Sequence, residues 1–324
     1  MPETKGAPRT FSGVWPFLAI VFPLSWALWV PVVLDKTNPV FLNLGGGPAL
    51  SAMWVAAARD GNAKNRARPI AFALLVPACW LVVTLNGAVN FSPPAPLRFN
   101  PALLVPSALS AWIISGAFSS DRGIRSLLRS MAVPSDWRWP LAALPLVPSF
   151  VLATAFLGRA LGLPVINPAP GLTAAQLSGL TAIRFFHYLL FTAIFEEPGW
   201  RGFLLPRLQA RFSPLMASVL VWVPWAVWHL PLDLTRPGWG LRAIVQQRVV
   251  ILLLYSVWIT WLYNRARGGL LSAVIFHGGT GSFVYLLPSS PLLILPLGAL
   301  LVLAFVIADR MWRRRPELGQ FHLT

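Results

Sequence analysis

The stretch Pro291-Leu-Leu-Ile-Leu-Pro-Leu-Gly-Ala-Leu-Leu-Val-Leu-Ala-Phe-Val-Ile-Ala-Asp309 runs for 18 residues before its first charge. A helix of that length rises about 27 Å, close to the thickness of a bilayer's hydrocarbon core. Blocks of the same kind recur at 12–34, 40–58, 69–89, 101–118, 140–162, 180–197, 214–231, 247–264 and 269–288. Together they predict an all-α, polytopic integral membrane protein with about ten transmembrane helices around a polar intramembrane cavity. The composition agrees: of 324 residues 56% are apolar and only 11% are charged, against about 25% charged in a soluble domain. A disordered chain, a coiled coil and an ordinary cytosolic enzyme are thereby excluded. Several tryptophans, among them Trp15, Trp80, Trp137 and Trp139, stand at block edges, where aromatic rings favour the headgroup level.

The formal charge of +16 invites a nucleic-acid reading. The basic residues lie in short loops between apolar blocks rather than on one face, which argues against it. With the N-terminus inside, 19 of the 26 basic residues fall on the inner side and 7 on the outer, so both termini are expected in the cytoplasm. The first apolar block is long and lacks a small-residue cleavage site, so it is expected to stay as the first span. The single cysteine, Cys79, sits in an apolar block and reads as a small core residue. Residues 121–131 interleave Arg122, Arg125 and Arg129 with Ile124, Leu127, Leu128 and Met131. That pattern predicts an interfacial helix on the cytoplasmic leaflet. The Arg-heavy usage, 23 Arg against 3 Lys, suggests a bacterial inner membrane.

Ionisable residues inside spans are costly and are candidate functional groups. Glu196-Glu-Pro-Gly-Trp-Arg201 is the densest cluster. Glu197 and Arg201 are four apart, the spacing of an ion pair on one helix face. Glu196 then points about 100° away, toward other spans. Trp225-Ala-Val-Trp-His229 places an aromatic ring one turn before a histidine, between Pro224 and Pro231. His277-Gly-Gly-Thr-Gly281 follows a histidine with small residues that allow close approach. His187 lies half a turn round from Glu196 and reads as structural, solvated together with Arg184 near the outer boundary.

The three motifs, in this order, resemble the CPBP family of CAAX prenyl endopeptidases and bacteriocin-processing or bacteriocin-immunity membrane proteins. The resemblance covers residues 180–290, which would form the catalytic core. The helices of residues 1–170 precede it, and a last span with a basic cytoplasmic tail, 291–324, follows. It implies an intramembrane endopeptidase in which Glu196 and His229 activate a water, His277 stabilises the oxyanion, and Glu197, Arg201 and Trp225 support them. The substrate would be a membrane-associated peptide or protein. Gly281 departs from the family's Asn, so a side-chain donor is missing there, and Gly281→Asn is expected to raise turnover if that donor limits the rate. Glu196, His229 and His277 could bind a divalent metal such as Zn²⁺ and leave a water position, or work without metal. The alternatives are a non-catalytic immunity or scaffold protein of the same family and, third, a proton-coupled transporter. The cavity is expected to open toward the cytoplasmic half.

Overall fold

The computed structural model describes residues 12–34, 43–57, 66–89, 100–134, 136–236 and 238–320. Lys5, Arg9, Lys36, Arg59, Lys64 and Arg98 of the charge count lie outside them. The described chain is helical apart from one isolated bridge, in which Ile166 and Ser289 exchange backbone hydrogen bonds of 2.9 and 3.0 Å. In chain order the helices are α1 (Val14–Leu34), α2 (Gly47–Ala56), α3 (Ala67–Val89), α4 (Pro101–Phe118), α5 (Arg122–Ala132) and α6 (Arg138–Ala160). They continue with α7 (Ala174–Gln209), α8 (Pro214–Thr235), α9 (Leu241–Arg265), α10 (Leu270–Tyr285) and α11 (Pro291–Ala308). Among the described residues eight of these, all but α2, α5 and α10, are long and apolar enough to cross a membrane. The chain is an all-α polytopic integral membrane protein.

The count of ten full spans is corrected at two places. Where 40–58 was expected to cross, the helix α2 has only ten residues. Hydropathy reads straight through Gly45-Gly-Gly47, but Pro48 opens the helix only there, and the glycines serve close approach. A Cβ at Gly47 would overlap Ser25 of α1, and a Cβ at Gly199 would meet the Pro48 carbonyl at 2.6 Å. The helix α2 is thus wedged between α1 and α7. The helix α10 is likewise short, and most of its residues are buried by α6, α7 and α9.

One end of the bundle gathers the basic segments. Here Arg207 donates to the Ser12 carbonyl at 3.4 Å, the Leu215 N–H to Met311 at 3.0 Å and Arg314 to Ala210 at 3.1 Å. Arg265 pairs with Asp309 across the same end. Asp121 caps α5, accepting from the Ile124 N–H at 2.9 Å. The apolar face of α5 is not laid into lipid as expected. Leu128 packs on Gly116 of α4 and Leu127 on Gly202 of α7, so both leucines are buried within the protein. The helices are tied at the opposite end by the Ile166–Ser289 bridge, by Trp26 donating to the Trp228 carbonyl at 3.2 Å, and by His187 with Asn43 at 2.9 Å.

Candidate active site

The helix α7 was expected to end at Glu197, because Pro198 lacks an N–H and clashes with the preceding turn. Instead the backbone widens. Residues 189–193 and 198–204 adopt π-helical turns, and the helix runs on to Gln209. Such wide turns absorb the proline and recur at functional sites. Glu196, Glu197 and Arg201 therefore sit within a span rather than at its end, 4%, 0% and 0% exposed.

The adjacent carboxylates diverge. Glu197 Oε1 accepts from Arg201 Nη1 at 3.0 Å, the expected ion pair, and also from His277 Nδ1 at 2.6 Å. Glu196 Oε2 accepts from the Trp225 indole N–H at 2.6 Å. The Arg201 guanidinium lies over the same indole, 4.1 Å from its centroid, a desolvated cation–π contact. The indole centroid is 5.7 Å from the His277 ring and 6.2 Å from the His229 ring. Trp225 is thus the hub on which the three motifs meet.

His229 is set by a break in α8. Pro231 has no N–H and its ring collides with the previous turn. The His229 N–H bonds back to Ala226 at 3.3 Å, one residue short of the α-helical partner Trp225. The Trp225 carbonyl is taken instead by the ring Nδ1 of His229 at 2.8 Å. A carbonyl only accepts, so Nδ1 carries the proton and the Nε2 lone pair is left for the cavity.

The helix α10 approaches α7 along its glycines. A Cβ at Gly278 would lie 3.3 Å from the Leu189 backbone. At Gly281 it would run into the Tyr188 ring. The place of the absent side chain is occupied by a tyrosine, which Gly281→Asn alone would crowd. Thr280 and Ser282 do not replace it either, since their hydroxyls donate to the carbonyls of His277 at 2.8 Å and Gly278 at 2.9 Å. His187 is not solvated as expected: besides its bond to Asn43 it stacks on Phe191.

Glu196, His229 and His277 border one cavity of about 750 Å³, together with Tyr188, Thr280 and Arg248. Arg248, at the edge of the span expected over 247–264, is one of the seven basic residues expected on the outer side. It lies on the π-helical start of α9, held by Asp233 through bonds of 2.5 and 2.7 Å. Trp222 fixes its carbonyl at 2.7 Å. Asp233 follows His229 by four residues, the spacing that puts both on one face and the signal that pointed to it. The cavity does not open toward the basic end as expected. Its rim, including Arg184, Arg236 and Trp239, lies where α7 and α9 begin and α8 ends, at the opposite end.

The residues do not fit a three-ligand zinc site. Among the described residues no three His, Cys, Asp or Glu side chains are gathered closely enough to hold one ion, and a Glu196 oxygen is engaged by the indole.

Residues 178–283 match the family model described as type II CAAX prenyl endopeptidase, Rce1-like. Over that segment the chain is similar to this family. The chain is also 34% identical over 96 residues to a CAAX prenyl protease 2 of Methanococcus maripaludis. That match covers 28% of this chain and 35% of the relative. The three motifs fall inside the matched residues, and α1 to α6 fall outside them.

Proposed function

We propose that the chain is an intramembrane endopeptidase that hydrolyses a peptide bond of a membrane-associated substrate. One observation carries this reading: a carboxylate and two histidines, from three different helices, border a single cavity inside the bundle. Peptide hydrolysis needs a base for water and a donor where the oxyanion forms. Glu196, 4% exposed and steadied by Trp225, accepts the water's proton, aided by the Nε2 lone pair of His229. His277, oriented by the Glu197 carboxylate, donates as the imidazolium from its other ring nitrogen to the carbonyl oxygen. Arg248 adds a fixed cation facing the same space. The donor set supports a reaction that runs on the Glu/His pair without a metal.

The test is cleavage of a membrane-anchored peptide library by purified protein, with metal content measured alongside. Glu196→Gln keeps the shape and removes the base, so cleavage should fall by about 10²–10⁴ while the thermal unfolding profile stays unchanged. Wild-type protein that cleaves no peptide overturns the reading. Tyr188 in the place of the family's polar side chain favours a second reading, a non-catalytic binder of a membrane partner. Under that reading the cellular phenotype survives Glu196→Gln.

A further inference from the structure

Among the described residues that border the cavity, two carry an aliphatic hydroxyl, Thr192 and Thr280. A helical threonine ordinarily returns its hydroxyl to a carbonyl one turn back. Thr280 does so to His277 at 2.8 Å, Thr154 to Val151 at 2.7 Å and Thr235 to Pro231 at 3.1 Å. Thr192 does not. Its Oγ1 has no hydrogen-bond partner among the described residues, and it is open to the cavity rather than sealed in packing. Thr84, Thr181 and Thr260 also keep unbonded hydroxyls, but theirs are buried and do not border the cavity. Thr192 therefore holds a free donor where a substrate could take it.

Thr192 is carried by the wide turn 189–193 of α7 and precedes Glu196 by four residues, so the two share a face. Side chains on a helix lean toward its N-terminus. The Glu196 carboxyl thus reaches back over the turn that holds Thr192. Its Oε2 is held by the Trp225 indole, and Oε1 is left for the cavity. The register against α10 is fixed on both sides of Thr192. A Cβ at Gly278 would meet the Leu189 backbone at 3.3 Å, and Glu197 holds His277 at 2.6 Å. Leu189, Thr192 and Glu196 follow one another at three and four residues, a single stripe along α7. Thr192 stands level with the turn of α10 that begins at His277.

We infer that the Thr192 hydroxyl is a catalytic donor to the scissile carbonyl oxygen, acting beside His277. The inference rests on the peptidase reading. The water oxygen bonds to the carbonyl carbon while its proton passes to Glu196. The carbonyl π pair moves onto the oxygen, where the His277 imidazolium and the Thr192 hydroxyl each donate one hydrogen bond and keep their protons. When that pair returns, the C–N bond breaks and the leaving amine takes the proton from Glu196. A donor aimed at the developing charge is worth about 10²–10³ in rate. Gly281 has no side chain to offer, and Thr280 spends its hydroxyl on the main chain. Thr192 supplies the second donor from the facing helix.

Thr192→Val keeps the shape and removes the hydroxyl. That hydroxyl has no partner in the free protein, so the thermal midpoint should hold or rise slightly, since an unpartnered hydroxyl inside a bundle is a cost. With a peptide that the wild-type protein cleaves, kcat should fall about 10²–10³-fold at an almost unchanged KM, because the bond forms in the transition state. A phosphinic peptide of the same sequence, whose P–O⁻ stands where the oxyanion forms, should lose affinity by the same factor. Thr192→Ser, which restores the hydroxyl, should recover most of both. A wild-type kcat in Thr192→Val overturns the inference and leaves the peptidase reading standing. A fallen kcat with undiminished affinity for the phosphinic peptide places the hydroxyl on the water instead and overturns the donor. A thermal midpoint that drops together with kcat shows a structural role and overturns it as well. Wild-type protein that cleaves nothing overturns the peptidase reading, and the donor with it.

Discussion

The two cavity histidines are held in opposite ways. His277 leans on a side chain: its Nδ1 meets Glu197, which is itself braced by Arg201, and both charges are fully buried. His229 leans on the main chain: its Nδ1 meets a carbonyl that a proline-broken helix leaves free. The difference separates fragility from precision. A buried ion pair holds its histidine firmly, and removing one partner strands a charge. A freed carbonyl strands nothing when lost, yet it can be removed only by repairing the helix. One arm should therefore fail by unfolding and the other by losing aim.

Breaking the His277 arm should have the largest effect. Glu197→Gln leaves Arg201 uncompensated and should destabilise the protein by about 3–5 kcal/mol, read as a lowered thermal midpoint in detergent. The double variant Glu197→Gln with Arg201→Met should recover much of that stability, because no charge is then stranded. It should not recover cleavage, because His277 has still lost its orienting carboxylate. Full recovery of both would show that the pair serves the fold alone. Next comes the shared hub. Trp225→Phe removes the N–H on Glu196, and hydrogen bonds to charged groups are worth about 1.5–3 kcal/mol. It touches both arms, so kcat should fall with less loss of stability than in Glu197→Gln.

Gly281→Asn should destabilise by about 1–3 kcal/mol through overpacking against Tyr188, and Tyr188→Ala in the same chain should relieve it. Cleavage that rises in the double variant and not in the single one would identify the missing donor as rate-limiting. The smallest stability change is expected for Pro231→Ala, within about 1 kcal/mol. The N–H it restores has the Val227 carbonyl as its α-helical partner, and a regular turn there lets the His229 N–H return to the Trp225 carbonyl. His229 then loses its partner, and kcat should drop more than tenfold, since misplacing a catalytic group by about 1 Å can cost 10²-fold. An unchanged kcat would show that the helix break does not aim His229.

The same contrast explains what the sequence disclosed. Helices α1 and α11 are uniformly apolar and legible by length alone. So were Glu196, Glu197, Arg201, Trp225, His229 and His277, because each breaks an apolar pattern and their order matches a family. The ion pair was legible because it is local, four residues apart. The bond from Glu197 to His277 was not, because it spans 80 residues and depends on how α7 and α10 pack. The helix α7 ran past its expected end because a wide turn can swallow a proline, and sequence rules treat proline as a stop. Arg248 was hidden for a related reason: a charge near a span edge looks like a loop charge until the π-helical turn carrying it is seen to face inward.

The contact between Gly281 and Tyr188 also constrains how this protein can change over time. Neither position can drift freely. A side chain gained at 281 meets an aromatic ring already there, so the ring must shrink first. A ring lost at 188 opens a gap beside the cavity until something at 281 fills it. The permitted route runs through position 188 before position 281, and the two should vary together among related chains. Where the residue matching Gly281 is Asn, the residue matching Tyr188 should be small; comparing aligned relatives at these two positions alone tests that coupling. Tyrosine against glycine then acts as an evolutionary ratchet: once the ring has settled on the glycine, the way back to a polar side chain is closed until the ring is given up.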